Sequence, residues 1–219
     1  MFKSVIIASG PTIEPIDPVR FISNRSSGKT GFHLANEAKK RKIDEIFFIT
    51  GPTNYIPSDV NLVHVDTAIS MRDNILTYFK EAEVIIMAAA VSDYRSSEYC
   101  HEKIKKGNDR VILELVKNPD ILKEIGEKKS DNQILVGFAA ETSNIFENAK
   151  EKFEKKNLDL LVLNEISKEN PVFNEDFNQV FFVYKKGIIK LDKMSKMEIA
   201  VLIWDEIFKI AEQTKVKNR

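Results

Sequence analysis

The segment Ile22–Gly31, which reads ISNRSSGKTG, carries residue types well suited to binding an anion. It combines small hydroxyl residues, an amide, two cations and two glycines, and a helical pattern follows it. Glycine lets the backbone approach a ligand closely, and a helix N-terminus presents unpaired N–H groups and a positive dipole end. The segment therefore predicts a phosphate or other anion site between Gly28 and Gly31.

The tail Gly28-Lys29-Thr30 matches the end of a P-loop, but the rest of that motif is missing. A P-loop reads G-x-x-x-x-G-K-[ST] and directly follows a strand. Here Ser23 stands where the leading glycine belongs, and the nearest apolar strand pattern ends at about Ala8. We therefore reject the P-loop motif and keep the broader prediction of an anion site at Gly28 to Gly31.

Other polar residues could contact a ligand or could be purely structural. Asn24 could donate its amide to a carboxylate or acyl oxygen, or could satisfy its own turn. Asp93 follows the run AAAVS and could bind a metal, a ribose or a base edge, or could cap a turn or helix. Lys152 and Lys156 share one helix face, for which solvent exposure is the default interpretation. Ser26 could cradle phosphate or could cap the following helix.

The sequence lacks the residues that several common kinds of active site require. The three histidines are scattered, and the single cysteine, Cys100, excludes an internal disulfide and an all-cysteine zinc site. There is no G-x-S-x-G nucleophile elbow, and no G-x-G-x-x-G follows the first apolar run. The residues alone thus favour a protein that binds a phosphate or a nucleotide.

Composition narrows the class further. The chain has 219 residues, and its 33 basic and 33 acidic residues give zero formal net charge. This balance gives no electrostatic reason to expect nucleic acid or an anionic membrane as a partner, and it permits self-association. The opening run MFKSVIIASG is too short for a signal peptide, and no run is long enough to span a membrane. We expect a cytoplasmic protein with one domain over residues 1–219.

Apolar runs alternate with segments of helical period along most of the chain. This alternation predicts an α/β fold with a doubly wound, mainly parallel, Rossmann-like sheet. A late hairpin, Val180–Tyr184 with Ile188–Leu191, predicts an antiparallel edge. The other predicted strands are Ser4–Ala8, Glu45–Thr50, Leu62–Val65, Val84–Ala90, Ile134–Ala139 and Leu158–Leu163. Helices are predicted at Thr30–Lys42, from about Thr67, at Pro119 with Asn118 as its cap, from Asn144, and after the capping box Ser195/Glu198.

The polar interval Ser92–Arg110 follows the most apolar run and contains the basic sequence KIKKG. Loops at the carboxyl ends of parallel strands are where open α/β sheets bind ligands. The interval could therefore be a mobile basic flap that closes over a phosphorylated substrate. Charge alone favours the alternative, a solvated surface hairpin.

Six ordered blocks of this sequence resemble one family, phosphopantothenate–cysteine ligase, the second activity of the bacterial bifunctional protein of coenzyme A biosynthesis. The blocks run from about Ser9 to Asn164 and include GPTIEPIDPVRFISNRSSGKTG, AAAVSDYR, KIKK, LVKNPDIL, GFAAET and the lysines before NLDLLVLN. Bacterial relatives are often fused to a flavin-dependent decarboxylase. We expect this chain to be the stand-alone ligase, with no flavin and with a separate decarboxylase as a possible partner.

The resemblance implies a reaction in two steps. The carboxylate of 4′-phosphopantothenate attacks the α-phosphate of CTP, which gives an acyl-cytidylate and pyrophosphate, with magnesium accompanying the triphosphate. The amine of L-cysteine then attacks the acyl carbon, which gives 4′-phosphopantothenoylcysteine and CMP. Spacing does not distinguish CTP from ATP. Such chemistry calls for groups that neutralise phosphates rather than for a protein nucleophile.

The resemblance also implies roles for individual residues. Asn24 would contact the acyl group, and Lys103 would be the flap lysine that stabilises the intermediate. Ala89 and Ala90 would pass close to the substrate, and Asp93 would read the base. The remaining nucleotide contacts would be Gly10, Ser26, Gly28, Gly31, Pro119, Asp120, Ile121, Leu122, Phe138, Lys152 and Lys156. Members of the family form dimers with shared active sites, so a homodimer is implied.

Two other functions remain open on the sequence. A nicotinamide-dependent oxidoreductase could use a similar sheet, although the missing G-x-G-x-x-G argues against it. A non-catalytic nucleotide-binding sensor would keep the pocket and bind CTP tightly without turnover.

Overall fold

The structure, a computed structural model, describes residues 2–105, 107, 110–167, 170 and 175–217. The helices are α1 (Lys29–Lys40), α2 (Ala68–Tyr78), α3 (Ile121–Lys128), α4 (Ile145–Lys155) and α5 (Lys196–Lys217). The strands are β1 (Ser4–Ser9), β2 (Ile13–Pro15), β3 (Phe21–Ser23), β4 (Glu45–Thr50), β5 (Asn61–His64), β6 (Val84–Met87), β7 (Tyr94–Ser96), β8 (Leu115–Lys117), β9 (Ile134–Glu141), β10 (Leu160–Glu165), β11 (Phe177–Asn178), β12 (Val180–Tyr184), β13 (Gly187–Lys190) and β14 (Met194–Ser195).

Eight strands form the central sheet, in the order β13-β12-β10-β9-β6-β1-β4-β5. The six strands from β10 to β5 are parallel, while β12 and β13 are antiparallel to their neighbours. The predicted doubly wound sheet with an antiparallel edge is therefore confirmed. The chain reverses its direction of winding between β1 and β6, and open α/β sheets bind ligands at this switch point.

Two apolar layers cover the sheet because β1, β4, β6, β9 and β10 alternate their side chains between its faces. One layer packs against α2, α3 and α4, and the other packs against α1 and α5. Trp204 of α5 is fully buried and donates a hydrogen bond of 2.9 Å from Nε1 to the carbonyl oxygen of Leu34 in α1. Helix α5 thus holds α1 against the sheet.

Local signals place most helix ends, with one error. Thr67 caps α2 by accepting a hydrogen bond from the backbone N–H of Ser70, and Ser195 and Glu198 form the predicted capping box. The sequence predicted that Asn118 caps α3, but this prediction is wrong. Asp120 caps the helix through the N–H of Lys123, because the side chain of Asn118 is engaged elsewhere.

Three short two-stranded pairs, β2–β3, β7–β8 and β11–β14, lie outside the central sheet. The sequence predicted none of them, because each has only two or three residues per strand. Strand β7 begins in the interval predicted as a flap or hairpin, and it pairs with β8 through Tyr94 and Lys117. Among the described residues, no helix has the length and apolar character needed to cross a bilayer.

Candidate active site

Two adjoining cavities lie at the carboxyl ends of the parallel strands, next to the switch point. The first, the α1 cavity, has a volume of about 400 Å³ and is lined by the start of α1 and by the ends of β6, β9 and β10. The second, the α3 cavity, has a volume of about 450 Å³ and is lined by the segment that leads into α3. Both are walled by Ala89, Val91, Asp93, Phe138 and Lys152. The cavities therefore form one cleft with two compartments.

The segment rich in hydroxyls and glycine forms the rim of the α1 cavity. Ser26, Ser27 and Gly28 line it together with the first residues of α1. Gly28 is the N-cap of α1 in a left-handed conformation with φ of 79°, which favours glycine because the residue lacks a Cβ atom. The N-terminus of α1 therefore opens into the cavity, and the binding of an anion there stays a prediction.

Asn24 fixes this rim to the opposite side of the cavity. Its Nδ2 donates a hydrogen bond of 3.0 Å to the carbonyl oxygen of Ala90, just beyond β6. Ala89 and Ala90 line the α1 cavity with small side chains, which leave its space open. The structure thus brings together Asn24 and both alanines, the three residues expected to meet the substrate.

Gly10 and Gly31 do not line either cavity. A Cβ atom on Gly31 would stand 2.1 Å from Ser9 Oγ, so that only glycine lets α1 pack this closely on the end of β1. Gly10 has φ of 69°, and a Cβ atom there would lie 2.9 Å from the carbonyl oxygen of Gly51. Close packing therefore explains why both positions are glycine, while their expected contact with phosphate stays a prediction.

Lysines and an acidic partner give the α1 cavity its charge. Lys29 Nζ lies 2.6 Å from Asp176 Oδ1 and 5.3 Å from the centre of the Tyr55 ring. The hydrogen bond to Asp176 raises the pKa of Lys29, so this lysine stays protonated. Lys196 also lines the cavity, and its burial lowers the pKa of its ammonium.

Two buried asparagines lie deeper in the same cavity. Asn178 is 4% exposed and donates a hydrogen bond of 3.2 Å from Nδ2 to Asn164 Oδ1. Asn178 Oδ1 has no hydrogen-bond partner among the described residues. Sequence analysis missed Asn164, Asn178 and Lys196, although a polar residue directly after a buried strand, as Asn164 follows Leu163, was an available signal.

The α3 cavity collects most of the expected nucleotide contacts. Asp93, Phe138 and both candidate lysines line it, as do the four residues from Pro119 to Leu122. Lys156 Nζ lies 3.1 Å from Asp120 Oδ1, and Lys152 Nζ lies 2.5 Å from Glu141 Oε1. This lysine pair therefore faces the cleft and carboxylates rather than only solvent.

Asn118 holds the segment after β8 against the segment after β6. Its Nδ2 donates a hydrogen bond of 2.8 Å to the carbonyl oxygen of Ser92, and its Oδ1 accepts one of 3.1 Å from Arg95. Its backbone N–H donates to the carbonyl oxygen of Asp93. These contacts bring Asp93 next to Pro119 and explain why Asn118 cannot cap α3.

Lys103 lies outside both cavities and is exposed. The next residue, Ile104, is clamped because its N–H donates to Asp17 Oδ2 at 3.2 Å and its carbonyl oxygen accepts from Arg20 Nη2 at 3.0 Å. Hydrogen bonds from Arg20 hold the pKa of Asp17 well below its ordinary value. Lys106, the last lysine of KIKK, lies outside the described residues. The structure thus does not bring Lys103 to the site with the other candidates.

The described residues contain no group of three or more His, Cys, Asp or Glu side chains that could hold a metal ion. A magnesium ion carried by a triphosphate takes its ligands mainly from phosphate oxygens and water. The described part of the chain therefore offers no dedicated metal cage, and the arrival of magnesium with a triphosphate stays a prediction.

Comparison with known proteins identifies the family. Residues 2–210 match the family described as DNA/pantothenate metabolism flavoprotein C-terminal domain, and the chain belongs to that family. It is 42% identical over 212 residues to the Coenzyme A biosynthesis bifunctional protein CoaBC of Haemophilus influenzae, covering 96% of this chain and 52% of that protein. The chain thus spans about half the length of the curated relatives it matches.

Solved structures agree with this assignment. The crystal structure of the C-terminal domain of CoaBC superposes with a TM-score of 0.81 at 36% identity, covering 96% of each chain. A Cab2 variant in complex with phosphopantothenate-cysteine superposes with a TM-score of 0.78 at 20% identity, covering 99% of this chain and 89% of the other. At that identity the second likeness shows the fold alone.

Proposed function

We propose that this chain is a ligase that joins 4′-phosphopantothenate to L-cysteine in coenzyme A biosynthesis, with CTP as the activating nucleotide. The observation that carries the proposal is the two-compartment cleft at the switch point of a fold shared with CoaBC. One compartment has an open helix N-terminus and small side chains, and the other has a lysine pair. This arrangement suits two phosphorylated molecules that meet at the shared wall.

The α3 cavity takes the nucleotide in this proposal. Pro119, Leu122 and Phe138 provide apolar surface for a base, and Asp93 provides a carboxylate for its polar edge. The remaining nucleotide contacts come from Asp120, Ile121, Lys152 and Lys156, and from Ser26 and Gly28 across the shared wall. Gly10 and Gly31 support the phosphate-binding backbone through its close packing.

Activation occurs where the two compartments meet. A carboxylate oxygen of phosphopantothenate attacks the α-phosphorus of CTP, and the bond from that phosphorus to the bridging oxygen breaks. The electron pair leaves with pyrophosphate. Lysine ammonium groups and the N–H groups of α1 offset the charge that develops on the phosphates. Magnesium brought by the triphosphate would supply further charge neutralisation.

Amide formation follows at the acyl carbon. The neutral amine of cysteine attacks, the bond from the acyl carbon to the phosphate oxygen breaks, and its electron pair leaves with CMP. The ammonium of free cysteine gives one proton to solvent to become the attacking amine, and the nitrogen gives a second proton to solvent as the amide forms. Asn24 and the two alanines hold the acyl group, and Lys103 stabilises the intermediate after its segment moves inward. Closure over the cleft also keeps the reactive anhydride from water.

We also propose that the chain forms a homodimer with shared active sites. Val19, Phe21, Val111 and Ile112 are exposed by 56% or more of their surface, and Ile112 reaches 93%. Single exposed apolar residues are ordinary, but adjacent ones such as Val111 and Ile112 form the kind of patch that binds another protein. A separate decarboxylase is a further partner in this proposal, because it would act on the 4′-phosphopantothenoylcysteine that the ligase forms.

The test is pyrophosphate release by the purified protein with magnesium and 4′-phosphopantothenate, comparing CTP with ATP. Release that needs phosphopantothenate, prefers CTP and becomes sustained only with cysteine supports the ligase. Replacement of Lys152 by Met should weaken CTP binding at least about tenfold if the ammonium contacts phosphate. Lys150→Met, an exposed lysine on the same helix, is the matched control. Tight CTP binding without any release would instead identify a non-catalytic sensor.

A further inference from the structure

The inner end of the α1 cavity contains a polar cluster that the proposed nucleotide contacts leave unused. Asn164 is the second-to-last residue of β10, Asn178 ends β11, and Lys196 begins α5. All three line the cavity, and each is exposed by 8% or less of its surface. Pairing of Asn178 with Met194 between β11 and β14 brings the asparagine alongside the start of α5. The fold thus places three buried polar side chains together.

The hydrogen bonds of the two asparagines fix which atom faces the ligand. Asn164 Nδ2 donates to the carbonyl oxygen of Ala139 at 3.5 Å, so that Asn164 Oδ1 is left to accept from Asn178 Nδ2. Turning the amide of Asn178 over would set two oxygens against each other. Asn178 Oδ1 therefore stays an acceptor, and it has no partner among the described residues. A buried acceptor without a donor costs free energy, which a ligand N–H can recover.

Three features of the cluster then define the ligand. Lys196 offers a buried positive charge, Asn178 Oδ1 offers a hydrogen-bond acceptor, and Val162, Val180 and Ile199 offer apolar wall. A free α-amino acid with a small apolar side chain has the three complementary groups. We propose that this end of the cavity binds the cysteine substrate, with its carboxylate on Lys196, its amine on Asn178 Oδ1 and its thiol against the apolar wall.

Phosphate matches the cluster less well than an amino acid does. An ionised polyphosphate has only acceptor oxygens, so it would leave Asn178 Oδ1 facing another acceptor. Phosphates have better partners at the rim of the cavity, where α1 begins and Lys29 lies. An amine held by one acceptor can lose its proton and direct its lone pair towards the acyl group. The assignment rests on the proposed ligase function, and it adds a site for the second substrate.

The decisive experiment removes the interaction between Lys196 and the substrate carboxylate in two ways, by changing the substrate and by changing the residue. Cysteamine lacks only the carboxylate of cysteine, so the ratio of kcat/KM for the two amines reports recognition of that group. In the parent protein cysteine should be preferred, and Lys196→Met should lower this ratio about tenfold or more, the effect of losing a charge-assisted hydrogen bond. Lys193→Met, an exposed lysine of the same segment, should leave the ratio unchanged. An unchanged ratio in Lys196→Met overturns the proposal.

A second variant keeps the test independent of how well Lys196→Met folds. Asn178→Ala should raise KM for cysteine about tenfold, while the pyrophosphate released with CTP and phosphopantothenate before cysteine is added stays within about twofold. Loss of that first release with an unchanged KM for cysteine would assign the cluster to phosphates and overturn the proposal. Absence of the release in the parent protein would refute the ligase function itself, a separate result.

Discussion

Asn24 and Ala90 are joined across the mouth of the α1 cavity by a hydrogen bond of 3.0 Å from the side-chain amide to the backbone carbonyl oxygen. This bond uses one N–H of the amide and leaves Oδ1 without a hydrogen bond from the described residues. One side chain thus shapes the rim and still presents polar atoms beside the small residues Ala89 and Ala90. The position of Asn24 is therefore set by the segment that the acyl group is expected to meet.

Asn24→Ala should stall the reaction at or after activation while the protein remains folded. Loss of one positioned amide at a developing charge typically lowers kcat about 100-fold. Turnover and single-turnover pyrophosphate release would be measured together. Ser23→Ala is the matched control, because Ser23 Oγ tethers the same loop to the carbonyl oxygen of Thr12 without lining the cavity. Normal turnover in Asn24→Ala would remove this residue from the site.

Lys103→Gln should slow the chemical step more than it weakens CTP binding. A lysine that approaches the cleft only on closure acts on the transition state, so kcat should fall about tenfold or more while the Kd of CTP changes little. The nearby exposed Lys105→Gln provides the comparison. Equal kcat values in the two variants would argue that Lys103 stays outside the cleft, where the structure places it.

Gly31→Ala should destabilise the fold, whatever its effect on nucleotide binding. The added Cβ atom would stand 2.1 Å from Ser9 Oγ and 2.5 Å from Ser9 Cβ, so α1 must shift away from β1. Overpacking of this kind costs about 1–3 kcal/mol of unfolding free energy, which urea denaturation would measure. Gly107→Ala, where a Cβ atom meets nothing within 4 Å, should change little. Full stability of Gly31→Ala would contradict the packing role.

The ion pair between Arg72 in α2 and Glu124 in α3 should make stability depend on pH. Arg72 Nη2 lies 2.7 Å from Glu124 Oε1, and the contact lowers the pKa of Glu124 from its ordinary value of 4.5 to about 2. Since the folded-state pKa is depressed, the stabilisation is present above pH 4.5 and is lost as the pH falls towards 2. With solvent screening we expect a loss of about 1 kcal/mol.

The measurement is urea unfolding at pH 7 and at pH 3 for the parent protein and for Glu124→Gln. The variant should be less stable at pH 7 but should lose less on acidification, because it has no carboxylate to protonate at that position. Parallel pH profiles of the two proteins would show that the pair contributes nothing in solution.

The central sheet was predictable because its parallel strands are buried on both faces and therefore read as continuous apolar runs. Glu45–Thr50 was predicted with the observed bounds, and the hairpin that starts at Val180 was confirmed. Two expectations were wrong. Strand Val84–Ala90 ends at Met87, beyond which Ala90 pairs only through an isolated bridge with Pro11, and Asn118 caps nothing because its amide donates to the carbonyl oxygen of Ser92. Single-sequence patterns report local structure and contain no such contacts.

The residues of the candidate site also divide into those that were predicted and those that were not. Gly28 follows from the element pattern because it directly precedes a helix, whereas the roles of Phe138 and Lys152 came only from the family resemblance; the structure places all three on the cavity walls. Asn178 and Lys196 were not predicted, because a two-residue strand such as β11 has no periodicity to detect. Lys196 moreover lies within the capping box of Ser195 and Glu198. That motif explains the local sequence without reference to the cavity, so it gave no signal that Lys196 lines the cavity.

The hydrogen bond from Trp204 to Leu34 spans 170 residues of sequence. During synthesis, α1 therefore emerges from the ribosome long before the helix that covers it, while its apolar face awaits a partner. Nascent chains that lack α5 should be good substrates for chaperones that bind exposed apolar helices. Contacts of such long range also slow folding. The start of α1 forms part of the rim of the ligand site. This rim should thus be among the last parts of the protein to take its final form.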